Sequence, residues 1–387
     1  MKQIDVLPDD ALLEIFDFYM ILTDLSHECI PSEEIKKATE AWQLLVHVCR
    51  RWRSLVLGSP RRLNLRLFCT TKTPMKDTLD IWPALPLVVD SGSIMNVTSD
   101  ADNIIAALGQ SNRVCKVNLY VTGRLLEKVL APMHVPFPEL TDLALTSYNE
   151  TPVIPDSFLG GSAPRLRHFE LNGIPFPGLA KVLLSATHLV ELRLIYIPYS
   201  GYISILPKSM VAVLSALSCL KILSLQFQFR RAANGSESRS LPLPKRSILP
   251  ALRRLEFRGV TEYLEDLVSR IDTPQLDEMH ITLVNQMAFE CPQLAKFINR
   301  SPTLRTRDEA HVRFNHHVTS LVLLAQSRAL KIEILGIERY RYLSFVRQIC
   351  NSSLHPLSTV EDLYIGDKYS QLVRKKNAFD NTLWLQL

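Results

Sequence analysis

Glycine is sparse, at 13 of 387 residues. No GxxxxGK[ST] or GxGxxG stretch occurs, so phosphate-cradling loops are not expected. The seven cysteines stand at positions 29, 49, 69, 115, 219, 291 and 350, never closer than 20 residues apart. Without a CxxC pair they outline neither a zinc site nor a disulfide framework. GxSxG and HExxH are missing too, and with them the usual marks of a serine hydrolase or a zinc protease. His311, His316 and His317 are the one concentration of histidine. With no cysteine or patterned carboxylate nearby, they read as the solvated start of a helix and not as a metal site. The expectation is a protein that is not an enzyme, with no catalytic residue, no metal and no cofactor.

Long apolar runs are also lacking. Nothing approaches the roughly 18 uninterrupted apolar residues that a membrane helix requires, so no membrane partner is expected. Asp5, Asp9 and Asp10 occupy the region where a secretory signal carries basic residues. The sequons Asn96-Val97-Thr98 and Asn149-Glu150-Thr151 then read as chance matches, and a reducing location, cytoplasmic or nuclear, follows. The net charge of +5 is small for this length. No dense Lys/Arg stripe with interleaved aromatics appears, so nucleic acid is not an expected partner. Arg50, Arg51, Arg53, Arg61 and Arg62 cluster as the solvated flank of a helix.

Apolar residues are what the chain does have, at 47% of the total, ample for a core. The length suggests about two or three domains, or one elongated array. The N-terminus reads IDVLPDDALLEIFDFYM, residues 4 to 20. Pro8 suits a first helical turn, where its missing N–H is harmless, and Asp9 and Asp10 put negative charge where the helix dipole favours it. Leu12, Ile15, Phe16 and Tyr19 follow at i, i+3, i+4 and i+7, one apolar stripe. A second helix is expected in PSEEIKKATEAWQLLVHVCRRWRSLVLGSP, capped by Ser32 and stopped by Gly58 and Pro60. These first sixty positions hold more large apolar side chains than one helix–helix seam covers, among them Leu7, Leu13, Phe18, Ile21 and Leu22. The surplus must pack on the following domain or on a partner.

Two strings here, Leu7-Pro8-Asp9-Asp10-Ala11-Leu12-Leu13-Glu14-Ile15-Phe16 and Val48-Cys49-Arg50-Arg51-Trp52, resemble the F-box. Members of that family bind the Skp adaptor of cullin–RING (SCF-type) ubiquitin ligases through these helices. The resemblance implies that Leu7, Pro8, Leu12, Ile15, Phe16, Val48, Cys49 and Trp52 form the adaptor-binding module or its core. The link Thr23 to Lys37 is longer than the family's usual connection, a departure that touches the middle of the module.

From residue 84 onward one pattern returns, an apolar position, two others, then an apolar-x-apolar pair. The clearest instances are Leu140/Leu143/Leu145, Leu166/Phe169/Leu171, Leu189/Leu192/Leu194, Leu220/Leu223/Leu225, Leu252/Leu255/Phe257 and Leu276/Met279/Ile281. Weaker ones are Val114/Val117/Leu119, Ala329/Ile332/Ile334 and Val360/Leu363/Ile365. Between Val114 and Leu276 the steps run from 23 to 32 residues, close to the leucine-rich range of about 20–29. The step to Ala329 is 53, a double step with residues 310–314 as a poorly matching strand inside it. Helical stretches are expected at 104–108, 125–130, 179–186, 210–217, 264–271, 294–298 and 345–349. The asparagine usual after the pair is replaced by Tyr148 or Ile174, so the array is irregular.

The expected fold class is therefore α/β: residues 1–62 as a short all-α F-box-like module, and 63–387 as an irregular leucine-rich-repeat-like solenoid. Its parallel strands lie on one side and its helices on the other. Strand alternation turns Asn118, Tyr120, Asp142, His168, Glu170, Glu191, Arg193, Gln226, Arg254, Glu256, Arg258 and His280 outward, a mixed-charge face suited to an unknown protein substrate. Residues 230–247 read as a surface loop, and 147–164 as a connector able to rim that face. The apolar ending NTLWLQL either docks as a last helix or marks a chain stopping short. The whole resembles the large F-box sets of mushroom-forming fungi. The functional expectation is a substrate-recognition subunit of a ubiquitin ligase. Its rivals are a leucine-rich interaction scaffold outside any ligase and an uncatalogued hydrolase.

Overall fold

The protein is described here from a computed structural model, covering residues 7–24, 41–92, 94–95, 98–148, 153–198, 206–228, 246–284, 291–304, 309–314, 318–325, 328–335, 362–367 and 373–376. Contacts group the chain into two compact units, Met1–Leu166 and Arg167–Leu387.

In the first unit, helix α1 (Asp9–Asp24) begins where the Pro8 carbonyl accepts the Leu12 N–H at 3.1 Å. Two shorter helices follow, α2 (Ala41–Val46) and α3 (Arg50–Gly58). Then strands and helices alternate: β1 (Leu67–Cys69), α4 (Met75–Ile81), β2 (Leu87–Asp90), α5 (Thr98–Leu108), β3 (Val114–Thr122), α6 (Gly123–Leu130) and β4 (Asp142–Tyr148). The four strands pair in chain order, all parallel. Parallel neighbours need a crossover, and the intervening helices supply it.

The expectation of one unbroken helix up to Gly58 is overturned. His47 and Val48 donate to the carbonyls of Leu44 and Leu45, each at 3.3 Å, a tightened last turn. Cys49 is extended, with φ −157° and ψ 170°, and its sulfur accepts the Trp52 N–H at 3.5 Å as the cap of α3. Arg53 Nε, at 2.9 Å, takes the Val46 carbonyl that a continuing helix would have used. The flanking valines are weak helix formers, so little is lost by breaking there. The proposed Ser32 cap lies outside the described residues.

The second unit continues the alternation with β5 (His168–Asn172), α7 (Leu179–Ser185), β6 (Glu191–Pro198), α8 (Pro207–Leu214), β7 (Ile222–Gln228), β8 (Ser247–Ile248), β9 (Arg254–Gly259), α9 (Thr261–Ser269), β10 (Ile271–Asp272), β11 (Glu278–Val284) and α10 (Pro292–Arg300). Strands β5, β6, β7, β9 and β11 pair in that order, all parallel, while β8 and β10 pair apart from them. The apolar triads line up across the strands: Phe169 faces Leu192, then Leu223, Leu255 and Met279. All six strong triads, and Val114/Val117/Leu119, are buried.

After α10 the series changes. Strands β12 (Glu309–Phe314), β13 (Val318–Ala325) and β14 (Arg328–Leu335) are antiparallel neighbours, and it is β14 that pairs with β11. Three residues separate β12 from β13 and two separate β13 from β14, fewer than a parallel crossover requires. The reading of 310–314 as one more step of the parallel series is thus corrected. So is the register of the triad at 329: Leu330 stands opposite Met279 and Ile332 opposite Ile281. Slipping by two keeps the same face buried. Strand β15 (Asp362–Asp367) pairs parallel with β12, and β16 (Val373–Lys376) antiparallel with β15. The expected helix at 345–349, the pair His316-His317, most of the 230–247 loop and the final NTLWLQL lie outside the described residues. The connector after β4 does more than rim a face, since Ile154, Phe158 and Leu159 are buried in its own unit.

Candidate protein-binding surfaces

The N-terminal helices each bury apolar side chains. Leu12, Leu13 and Phe16 of α1 are buried with Trp42, Leu45 and Val46 of α2 and Val56 of α3. The Phe16 and Trp52 rings lie 4.7 Å apart at 59°, a tilted aromatic contact. Arg51 ties α3 to the start of α1, reaching Asp9 Oδ1 at 2.6 Å and the Leu7 carbonyl at 2.5 Å. Arg62 pairs with Glu14 and with Asp10 at 3.6 Å. These exposed pairs add little to stability. Trp42 anchors the group on the sheet-bearing part of its unit: its indole N–H meets the Arg66 carbonyl at 3.0 Å, and its ring stands edge-on to Trp82 at 5.0 Å.

Of the residues expected to meet an adaptor, Leu12 and Phe16 are therefore core, and Trp52, Cys49 and Leu7 are half-buried. Pro8, Ile15 and Val48 face outward. Two more large apolar side chains join them, so that Ile15 is 50% exposed, Phe18 63%, Leu44 64% and Val48 59%. Ile15 and Phe18 share one face of α1 at i, i+3. Covering four side chains from about this exposure yields on the order of 4–7 kcal/mol gross. Rigid association costs about 4–15 kcal/mol, so these residues are anchors of a wider contact, not a whole interface. The sequence reading places Phe18 in the apolar surplus but neither Phe18 nor Leu44 among the adaptor contacts, because helical spacing gives the stripe but not which edge a neighbouring helix leaves open.

On the sheet of the first unit, Asn118 Nδ2 donates to Asp90 Oδ2 at 3.1 Å, and Asp90 Oδ1 accepts the Gly92 N–H at 2.6 Å. Ser91 Oγ accepts the Tyr120 N–H at 3.0 Å. Asp142 accepts from Thr141 Oγ1 at 2.6 Å. Buried Asp90 and Ser91 escaped the sequence reading, although Asp-Ser-Gly directly after an apolar strand is a turn signal.

The outward positions of the second unit fall into register. One row reads Glu170, Arg193, Ser224, Glu256, His280, Lys331, one residue per strand. A neighbouring row reads His168, Glu191, Ile222, Arg254, Glu278. Ion pairs knit the two: Arg193 with Glu191, and Arg254 with Glu256 at 2.7 Å and Glu278 at 3.3 Å. Ser224 is buried beneath them and accepts from Gln226 Nε2 at 3.2 Å.

Burial opposes ionisation of Glu256, but the Ser224 hydroxyl, Arg254 and Arg193 outweigh it and hold the carboxyl below its ordinary range. Burial raises Glu170, with Arg193 opposing and Glu191 adding. Burial lowers His280, as do Arg254 and Lys331, against the pull of Glu256 and Glu278.

In the third row, Gln226, Arg258, Thr282 and Glu333 align. Register shifts between Leu194 and Ile197, so Ile195 and Tyr196 bulge beside this row. Tyr196 is exposed with φ +50°, and the Arg258 guanidinium lies 5.9 Å from its ring centre. A non-glycine residue held there stores about 1–3 kcal/mol of strain. No local sequence signal marks Tyr196, since the strain arises from strand register.

All twelve expected face residues lie on these strands, three in the first unit and nine in the second. Among the described residues no group of three or more His, Cys, Asp or Glu is arranged to hold a metal ion, and no helix is long and apolar enough to cross a membrane. No protein-family model, no curated protein and no solved structure matches this chain.

Proposed function

We propose that the chain is the substrate-recognition subunit of an SCF-type cullin–RING ubiquitin ligase. In this reading residues 1–62 are the F-box-like module that docks the Skp adaptor. Residues 63–387 are a leucine-rich-repeat-like solenoid whose sheet face captures a protein. Catalysis belongs to the ligase: tethering brings substrate and charged conjugating enzyme to high effective concentration. The observation carrying the reading is the exposure of Ile15, Phe18, Leu44 and Val48 on helices that bury Leu12, Phe16, Trp42 and Val56. Regular burial of the apolar triads on parallel strands supports the solenoid half.

A second reading draws on Trp42, whose contacts with Arg66 and Trp82 suit helices that merely cap a leucine-rich scaffold outside any ligase. One capture experiment separates the two. Purified full-length protein is incubated with tagged Skp adaptor, beside a Leu7→Asp/Pro8→Ala variant shown folded by circular dichroism. Capture of the wild type and its loss in the variant supports the receptor; no capture of the wild type supports the scaffold.

A further inference from the structure

Among the described side chains on the sheet face of the second unit, the arginines are neutralised with one exception. Arg193 pairs with Glu191, Arg254 with Glu256 and Glu278, and the lysine of the same face, Lys331, with Glu333 at 2.8 Å. Arg258 has no carboxylate within ion-pair distance among the described residues. Its register neighbours, Gln226 and Thr282, are uncharged. What it does have is the exposed ring of Tyr196, held beside it by a left-handed backbone and a strand bulge. A guanidinium lying against a ring still offers its edge N–H groups, the fork that grips an oxyanion with two parallel hydrogen bonds. The ring beside it gives an apolar platform to whatever side chain accompanies that anion. Strain held at an exposed tyrosine with no buried role points to recognition and not to folding.

We infer that Arg258 and Tyr196 form a recognition spot for the carboxylate of an aspartate or glutamate carried on an extended protein segment laid across this face. The inference rests on reading that face as the substrate surface and names the chemistry it selects. Charge balance favours a carboxylate over a phosphoryl group. A phosphate carries about −1.5 to −2 and calls for several cations. Among the described side chains of this face Arg258 is the one uncommitted cation, with Glu256 on its own strand and Glu333 in its row.

The test is selection of a random displayed-peptide library on the full-length protein, followed by affinities of the enriched peptides. Enriched sequences are expected to share an Asp or Glu at one position, and its replacement by the amide should weaken binding about tenfold. Against Arg258→Gln the same replacement should change affinity less than twofold. Tyr196→Gly relieves the left-handed strain, so it should keep or raise the melting temperature while weakening the acidic peptide. That outcome a merely structural residue would not give. No acid preference, or an acid preference unchanged in Arg258→Gln, overturns the inference. So does tighter binding of the peptide with phosphoserine in place of the acid. Peptides indifferent to Arg258→Gln but lost on Glu170→Lys overturn it alone and leave the face a binding surface. If no peptide depends on any sheet-face residue, the reading of the face falls as well.

Discussion

Phe16 and Trp52, 36 positions apart in the sequence, stand with ring centres 4.7 Å apart. The contact exists because the chain breaks its helix at Cys49, which caps α3 through the Trp52 N–H and turns Trp52 inward and Val48 outward. Phe16→Ala empties a buried site, and such truncations cost about 3–5 kcal/mol. Denaturant unfolding should show a loss of that size confined to the N-terminal helices. Trp52→Phe, which keeps a ring, should lose less than half as much.

Glu265 of α9 caps the neighbouring helix. Its carboxylate oxygens accept the backbone N–H groups of Gln293 and Leu294 at 2.8 and 2.7 Å, at the positive end of the α10 dipole. Glu265→Ala should lower stability by about 1–2 kcal/mol, and Glu265→Gln by less, because the amide oxygen still accepts. Amide hydrogen exchange should localise the added opening to the first turn of α10.

Gly160 has φ +62°, and an added Cβ would stand 2.8 Å from Pro136 Cγ and 3.0 Å from Pro136 N. Backbone cannot give way as a side-chain tip can. Gly160→Ala is expected to cost about 1–3 kcal/mol, read as a lowered melting temperature.

The charge rows make stability depend on pH in opposed ways. His280 and Glu256 titrate below their ordinary values in the fold, so the unfolded chain binds more protons as the pH falls. The stability contributed by His280 is present above its ordinary pKa of about 6.5 and is lost as the pH falls through its lower folded value. Glu256 behaves likewise in a more acidic window. Glu170 is raised, so its contribution is present below the ordinary glutamate range and lost as the pH rises through the folded value. Denaturation midpoints between pH 8 and pH 5 should fall for the wild type and flatten in His280→Gln. Glu170→Gln should be the more stable protein at pH 7.

The parallel strands were legible because each buried strand in a repeat needs a pair of apolar residues with a third upstream, and Leu189/Leu192/Leu194 shows that spacing plainly. Helices between them followed from their apolar faces, as at Leu264, Leu267 and Val268. The hairpins of 309–335 were not legible as a break in the series, because their strands show the same alternation and only the connection length distinguishes them. The helix break at 47–49 hid inside an apolar period that continued through it. The openness of Ile15 beside buried Leu12 and Phe16 depends on where α2 and α3 pack, which lies outside the spacing of α1 alone.

The central claim is that the exposed apolar residues of the N-terminal helices are an adaptor-docking surface, and calorimetric titration of purified Skp adaptor into the full-length protein tests it most directly. The account predicts saturable binding by the wild type and at least tenfold weaker binding by Ile15→Asp/Val48→Asp, whose buried residues are untouched and whose melting temperature should hold. Absence of heat of binding with the wild type, or equal affinity in the folded double variant, would contradict it.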